Sequence, residues 1–197
     1  LVVDKDLLSL KEIAENKKMI KEEQWRWERD SVLAMDGVAI QLRALRALDV
    51  AQVLSLGGNP APAVKGILKG LCLLRDVKPG RKSVVQKTLS GETKTVVIDD
   101  WVGPAYALLT DRSLLRFLRR FDPEKAAQMN ESTVHALREI VLSFPNLHDE
   151  LADLGQEFLL LNSIASWIQT CLFLIRKEHM VSALIDGMVK LMKEEED

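Results

Sequence analysis

Asn59-Pro-Ala-Pro-Ala-Val-Lys-Gly-Ile-Leu-Lys-Gly-Leu-Cys-Leu-Leu-Arg75 decides how this chain folds, because it interrupts what would otherwise be one very long helix. Pro60 and Pro62 lack a backbone N–H and fix φ, so a helix arriving through Leu54 must stop near Gly57 and Gly58. A second helix starts in a new direction: Asn59 is placed to cap its orphan N–H groups, and a proline is tolerated in a first turn. Val64, Ile67, Leu68, Leu71 and Arg75 form one stripe at helical spacing, flanked by Lys65 and Lys69 one turn apart. Taken alone, that stripe is what a short core helix after a proline kink presents.

The 197 residues suit one domain, or one small globular unit with an extended appendage. Hydrophobic residues make up 47%, mostly Leu, Ile, Val and Ala, against 5% aromatic and 28% charged, the balance of a mainly α chain with amphipathic faces. A net charge of -2 hides an asymmetry: basic residues dominate from Lys65 to Lys82, whereas Glu131 to Glu157 and the tail Lys193 to Asp197 are acidic. Only the basic part suits an acidic partner. Cys72 and Cys171 fall in apolar helical stripes, which favours buried thiols over a disulfide and points to a reducing compartment. No apolar run is expected to span a bilayer, and the start at Leu1 without a signal-like segment reads as a piece of a longer cytoplasmic protein.

From Asp4 to Ser55 the chain has no proline and one glycine, Gly37, which predicts one long helix or two in series. Trp25 and Trp27, two apart, cannot both face one narrow seam, so one of them packs outside a two-helix pair. After Arg75, residues Ser83 to Ile98 carry Val84, Val85, Thr88, Thr93, Thr95, Val96 and Val97 around Ser90-Gly91, the pattern of a β-hairpin. With only two strands available, an exposed flap is expected. Leu89-Ser-Gly-Glu92 resembles a transporter-ATPase signature, but no phosphate-loop sequence accompanies it, which removes the nucleotide reading.

A short helix follows Asp99-Asp-Trp-Val-Gly-Pro104 and ends near Thr110, with Asp111 capping a further helix over Arg112 to Phe121. At 100° per residue Arg112, Arg116, Arg119 and Arg120 share one side, opposite Leu114, Leu115, Phe117, Leu118 and Phe121. This is either a binding face or a face neutralised by acids such as Glu131 or Glu139. Asp122-Pro-Glu starts another turn, and Asn130 caps a helix carrying Val134, Leu137 and Val141 up to Phe144-Pro145. His135 and His148 have no zinc-ligand spacing with the cysteines. From about His148 the pattern is helical to the end, with Leu151, Leu154, Phe158, Leu161, Ala165, Ile168, Leu172 and Ile175 alternating by four and three, a coiled-coil seam. Past Ile175 it continues in another register through Val181, Leu184, Met188 and Leu191.

The architecture these readings predict is mainly α: an antiparallel two-helix coiled-coil stalk, its arms paired within one chain, capped by a small bundle of short helices with a β-hairpin flap. Residues 1–56 form the first arm, 57–165 the helical tip with the flap at 80–98, and 166–197 the return arm. The order and spacing of Asn59-Pro-Ala-Pro-Ala-Val-Lys65, Leu71-Cys-Leu-Leu74, Asp100-Trp-Val-Gly-Pro-Ala105 with Leu108-Leu109, Phe121-Asp-Pro and Trp167 resemble the stalk tip and microtubule-binding domain of dynein heavy chains. The similarity covers about Leu42 to Ile175. Its Asp-x-Trp-Gly-Pro-Ala-type stretch beside a long insertion is most like axonemal inner-arm chains.

That resemblance implies six short helices on the stalk, the first, third and sixth facing tubulin. It places Lys65 in the first of these and Arg112 and Arg116 in the third. Lys69, Arg75, Arg119 and Arg120 complete the expected basic surface, with Arg81, Lys82, Lys87 and Lys94 on the flap. Ser166 and Gln156 stand where the family often carries basic residues. A noncatalytic module is expected, without cofactor, metal, nucleic acid or membrane partner, located in the cytoplasm and cytoskeleton, in a cilium or flagellum axoneme. The alternative is a helical scaffold or adaptor whose basic helix meets another acidic protein. No nucleophile–histidine arrangement or paired-acid pocket supports an enzyme.

Overall fold

A computed structural model describes residues 3–88, 91–120, 128–155 and 157–196. In chain order they form α1 (Val3–Ala44), α2 (Ala47–Leu54), α3 (Pro62–Leu74), β1 (Gly80–Lys87), β2 (Thr93–Asp100), α4 (Val102–Thr110), α5 (Leu114–Leu118), α6 (Glu131–Ser143), α7 (Leu147–Ala152) and α8 (Leu159–Glu196). The protein is mainly helical, with one two-stranded antiparallel sheet among the described residues.

The two long helices pack against each other in opposite directions. Ile20 of α1 lies against Gly187 of α8, and Trp27 stacks on Phe173 with ring centroids 5.4 Å apart. On α1 the residues turned inward are Ile13, Lys17, Ile20, Gln24, Trp27 and Ser31, and on α8 Leu174, Lys177, Val181, Leu184, Met188 and Leu191. Both series alternate by four and three, the spacing that keeps one stripe on one partner. Trp27 therefore takes the seam, while Trp25 stands 62% exposed beneath Arg29.

Of the two arrangements expected for the first arm, the helices in series are found. The break falls at Leu45-Arg46, where Asp49 Oδ2 accepts the Arg46 N–H at 2.6 Å and starts α2. At the proline pair the helix begins differently from expectation. Ala61 is the N-cap and Pro62 the first helical residue, so Asn59 sits too far out to cap; its Oδ1 accepts instead from Lys65 Nζ at 2.6 Å. Pro62 has no N–H in need of a cap.

Val64, Ile67, Leu68, Leu71 and Cys72 of α3 are fully buried, and this helix is the centre of the tip. It approaches its neighbours closely because Gly66 and Gly70 carry no side chain. A Cβ on Gly66 would stand 2.9 Å from the Phe144 ring, and one on Gly70 would collide with the Ile168 side chain of α8. The helix ends with the Val77 N–H on the Cys72 carbonyl at 2.8 Å and Asp76 in the left-handed region at φ 52°, a terminus that glycine usually supplies.

The hairpin pairs Val84 with Val96 and extends from Gly80↔Asp100 to Lys87↔Thr93. Nearly all of its side chains are exposed, Val84 and Val96 being half-buried, so it stands off the tip as a flap. Tyr106 of α4 donates to the Gly57 carbonyl at 2.7 Å and fastens α4 to the turn before α3. Asn130 caps α6 as expected, accepting the Thr133 N–H at 2.8 Å.

Two expectations about helix extent are corrected. The arginine-bearing helix spans only Leu114–Leu118, since Asp111 Oδ1 accepts the Ser113 N–H and holds Arg112 and Ser113 in a turn before it. Phe121 and the Asp122-Pro-Glu turn lie outside the described residues. The return helix is not continuous from His148. α7 ends at Ala152, Gly155 adopts φ +78°, and Leu151 and Phe158 bury themselves in the tip core rather than extending the seam. α8 is, contrary to expectation, long and apolar enough by length and composition to cross a membrane, but 61% of its apolar window is buried in the protein. That burial is what a core helix shows.

Candidate binding surface

The basic residues fall into two groups and several separate positions. In the first group Arg75, at the end of α3, meets Arg116 and Arg120 around a cleft of about 540 Å³ closed by Trp167 and the first turn of α6. The Arg75 guanidinium lies 3.9 Å from the Phe117 ring centroid, and that ring meets Trp167 at 5.7 Å. Arg75 is thus half-buried rather than displayed on an open face. Its Nε is buried without a hydrogen-bond partner among the described residues. Asp76 lines the same cleft, and hydrogen bonds from Ser113 hold the Asp111 carboxyl below the usual carboxylate range, with the Arg75 charge adding a smaller effect.

In the second group Lys65, Lys69 and Lys82 border a cleft of about 830 Å³ between α3 and the base of the hairpin. Lys69 Nζ is 5.8 Å from the Trp101 ring centroid, and Asp99 and Asp100 border the same space, so this cleft carries both signs.

Arg119 departs from the expected arginine face: its Nη2 donates to the Leu45 carbonyl at 2.6 Å. A helix of one and a half turns cannot keep residues 112 to 120 on one side, and the turns at either end re-aim them. Arg119 stays exposed despite this bond, as do Arg112, Arg116 and Arg120. Among the described residues the ion pairs Lys18–Glu22, Arg26–Glu23 and Arg29–Asp30 lie on α1, and none joins Glu131 or Glu139 to the arginines. On the flap Arg81 and Lys87 project from one face and Lys82 and Lys94 from the other, because strand side chains alternate; all four are exposed.

No group of three or more His, Cys, Asp or Glu suited to a metal occurs among the described residues. His135 is exposed, while His148 sits with Nδ1 2.8 Å from Asn162 Oδ1 and Nε2 3.3 Å from Gln169 Oε1. Both cysteines are free and buried, and desolvation pushes the Cys72 thiol up to about 11 and Cys171 up to about 12. Neither is an activated nucleophile at neutral pH. Ser166 lines the groove between α1 and α8, and Gln156 lies outside the described residues.

Reading by stripe missed the close glycine contacts, the Phe117–Trp167 pair and the role of Arg119. The Gly66 and Gly70 spacing of four within an apolar helix was the available signal for the first; long-range pairs leave none in a single sequence.

No protein-family profile matches the chain, and no curated protein matches it. The structure is similar to a solved chain described as the microtubule binding domain of dynein-C, with 19% sequence identity and a TM-score of 0.41, over 81% of this chain and 90% of that one.

Proposed function

We propose that this chain is a noncatalytic, microtubule-binding stalk tip of a dynein-like motor, with α1 and α8 as the arms of a coiled-coil stalk. The observation that carries the reading is that two separated stretches bearing the dynein resemblance, Leu71–Leu74 and Asp100–Ala105, meet in space. Cys72 lies 3.8 Å from the Trp101 carbonyl, and Arg75, just after the first of these stretches, leads through Phe117 of α5 to Trp167. Exposed Lys65, Arg112, Arg116 and Arg120 then form the surface for acidic tubulin. The axonemal inner-arm class, and with it a ciliary location, rests on the Asp100–Ala105 stretch beside the hairpin insertion.

In this reading affinity follows the register of the two arms. The inward stripe of α8 shifts between Ile168 and Val181, and the Trp27 indole N–H is buried in the seam without an acceptor. An unsatisfied buried donor at the interface costs this pairing free energy that a register satisfying it would not lose. With Cys72 and Cys171 replaced, an Ile20→Cys, Gly187→Cys pair locks the present register and an Ile20→Cys, Leu191→Cys pair one a turn away. The two cross-linked forms should differ in microtubule cosedimentation; equal pelleting would leave only a tether with a sticky end.

A further inference from the structure

We infer that the cleft walled by Arg75, Arg116 and Arg120 is a receptor for a single glutamate side chain presented by an acidic protein segment. The inference rests on the reading of this tip as a binder of an acidic protein surface, and it names the subsite. Arg75 is the anchor. Its guanidinium carbon sits 3.9 Å from the centroid of the Phe117 ring, a ring itself packed against Trp167, so the side chain is held at the cleft before any ligand arrives. Its Nε is buried, with no acceptor among the described residues. Arg75 lines the cleft, and a carboxylate matches a guanidinium fork with two parallel hydrogen bonds.

The rest of the lining selects among anions. Arg116 and Arg120 are exposed at the cleft and add positive potential, while Leu73, Leu74 and Met129 make part of its wall apolar. A bare inorganic anion gains nothing from that wall; a side chain with two methylenes ending in a carboxylate uses both parts. Asp76 is the acid lining the cleft, and its charge opposes the ligand. Asp111 is engaged by the Ser113 N–H and sets Arg75 no ion pair among the described residues.

The test is fluorescence anisotropy of a labelled deca-glutamate peptide with the full chain, alongside microtubule cosedimentation of the same variants. Arg75→Lys keeps the charge and removes the planar fork, and peptide affinity should fall by about tenfold. Asp76→Asn suits the left-handed backbone and removes the opposing charge, so the peptide should bind several-fold tighter, an effect that no loss of folding can mimic. Lys18→Gln, on α1 outside the cleft, should stay within about twofold. Glutarate should displace the peptide at lower concentration than inorganic phosphate. Wild-type affinity in Arg75→Lys, unchanged affinity in Asp76→Asn, a Lys18→Gln loss as large as that of Arg75→Lys, or more effective displacement by phosphate would each overturn the assignment. Peptide binding without microtubule pelleting would defeat the stalk-tip reading alone; pelleting that ignores Arg75 and Asp76 would defeat the cleft alone.

Discussion

Arg119 Nη2 donates a 2.6 Å hydrogen bond to the Leu45 carbonyl, joining the end of α5 to the break between α1 and α2 across 74 residues of sequence. That carbonyl sits where the long arm stops being helical, so it has lost its partner along the helix. The guanidinium that satisfies it belongs to the most basic segment of the tip. The arm's end and the basic segment are therefore fastened directly.

Removing the fastening should cost stability. A charged donor on a backbone carbonyl contributes roughly 1.5–3 kcal/mol, and the lower end applies to a part-buried bond. Arg119→Ala is expected to lower unfolding free energy by about 1.5 kcal/mol in urea, with microtubule affinity less affected than by Arg116→Ala. The reverse ranking would return Arg119 to the binding face.

Gly70 is a packing requirement. Alanine there gains about 1 kcal/mol of helix propensity but forces its methyl onto the fully buried Ile168 side chain, and overpacking of this kind costs roughly 1–3 kcal/mol. Gly70→Ala should be net destabilising by thermal melting. Ile168→Val removes the colliding methyl, so the double variant should recover part of the loss, a coupling that distant sites do not show.

The flap should be dispensable for folding. Its two strands pair with each other, and within residues 83–98 only Val84 and Val96 are half-covered among the described residues. Replacing residues 83–98 with a short glycine-serine link should leave the melting temperature within a few degrees, since loop length changes closure entropy slowly, by about 0.6 kcal/mol per doubling. A fall of many degrees would show that it packs on the core.

The thiols give a pH signature. Folding raises both from 9.0, Cys72 to about 11 and Cys171 to about 12, because burial disfavours the thiolate. Their contribution is fully present below pH 9 and is lost as pH rises through the folded values. Stability should decline above pH 9, and neither thiol should react with a disulfide reagent at pH 8 without denaturant.

Much of this fold is legible in local sequence. The proline pair, the valine- and threonine-rich hairpin and the Asn130 cap are each set by neighbouring residues, and each is found. The seam past Ile175 is readable for the same reason, since Val181, Leu184, Met188 and Leu191 repeat at fixed spacing. What misled was extrapolation of periodicity across a short break. Leu151, Leu154 and Phe158 keep the right spacing, yet Gly155 turns the chain between them. The basic surface was readable as composition but not as geometry. Whether Arg75 lies over Phe117 and Arg119 reaches Leu45 depends on how α3, α5 and the arm meet, which no single stripe encodes.

Cosedimentation with microtubules at two salt concentrations tests the central claim, comparing the unaltered chain with an Arg112→Glu, Arg116→Glu, Arg120→Glu variant of equal helicity. The chain should pellet at low salt and much less near 0.15 M, where exposed charges are screened beyond about 8 Å, and the reversed variant should stay in the supernatant. Absence of pelleting at low salt, or equal pelleting of the two proteins, would contradict the account.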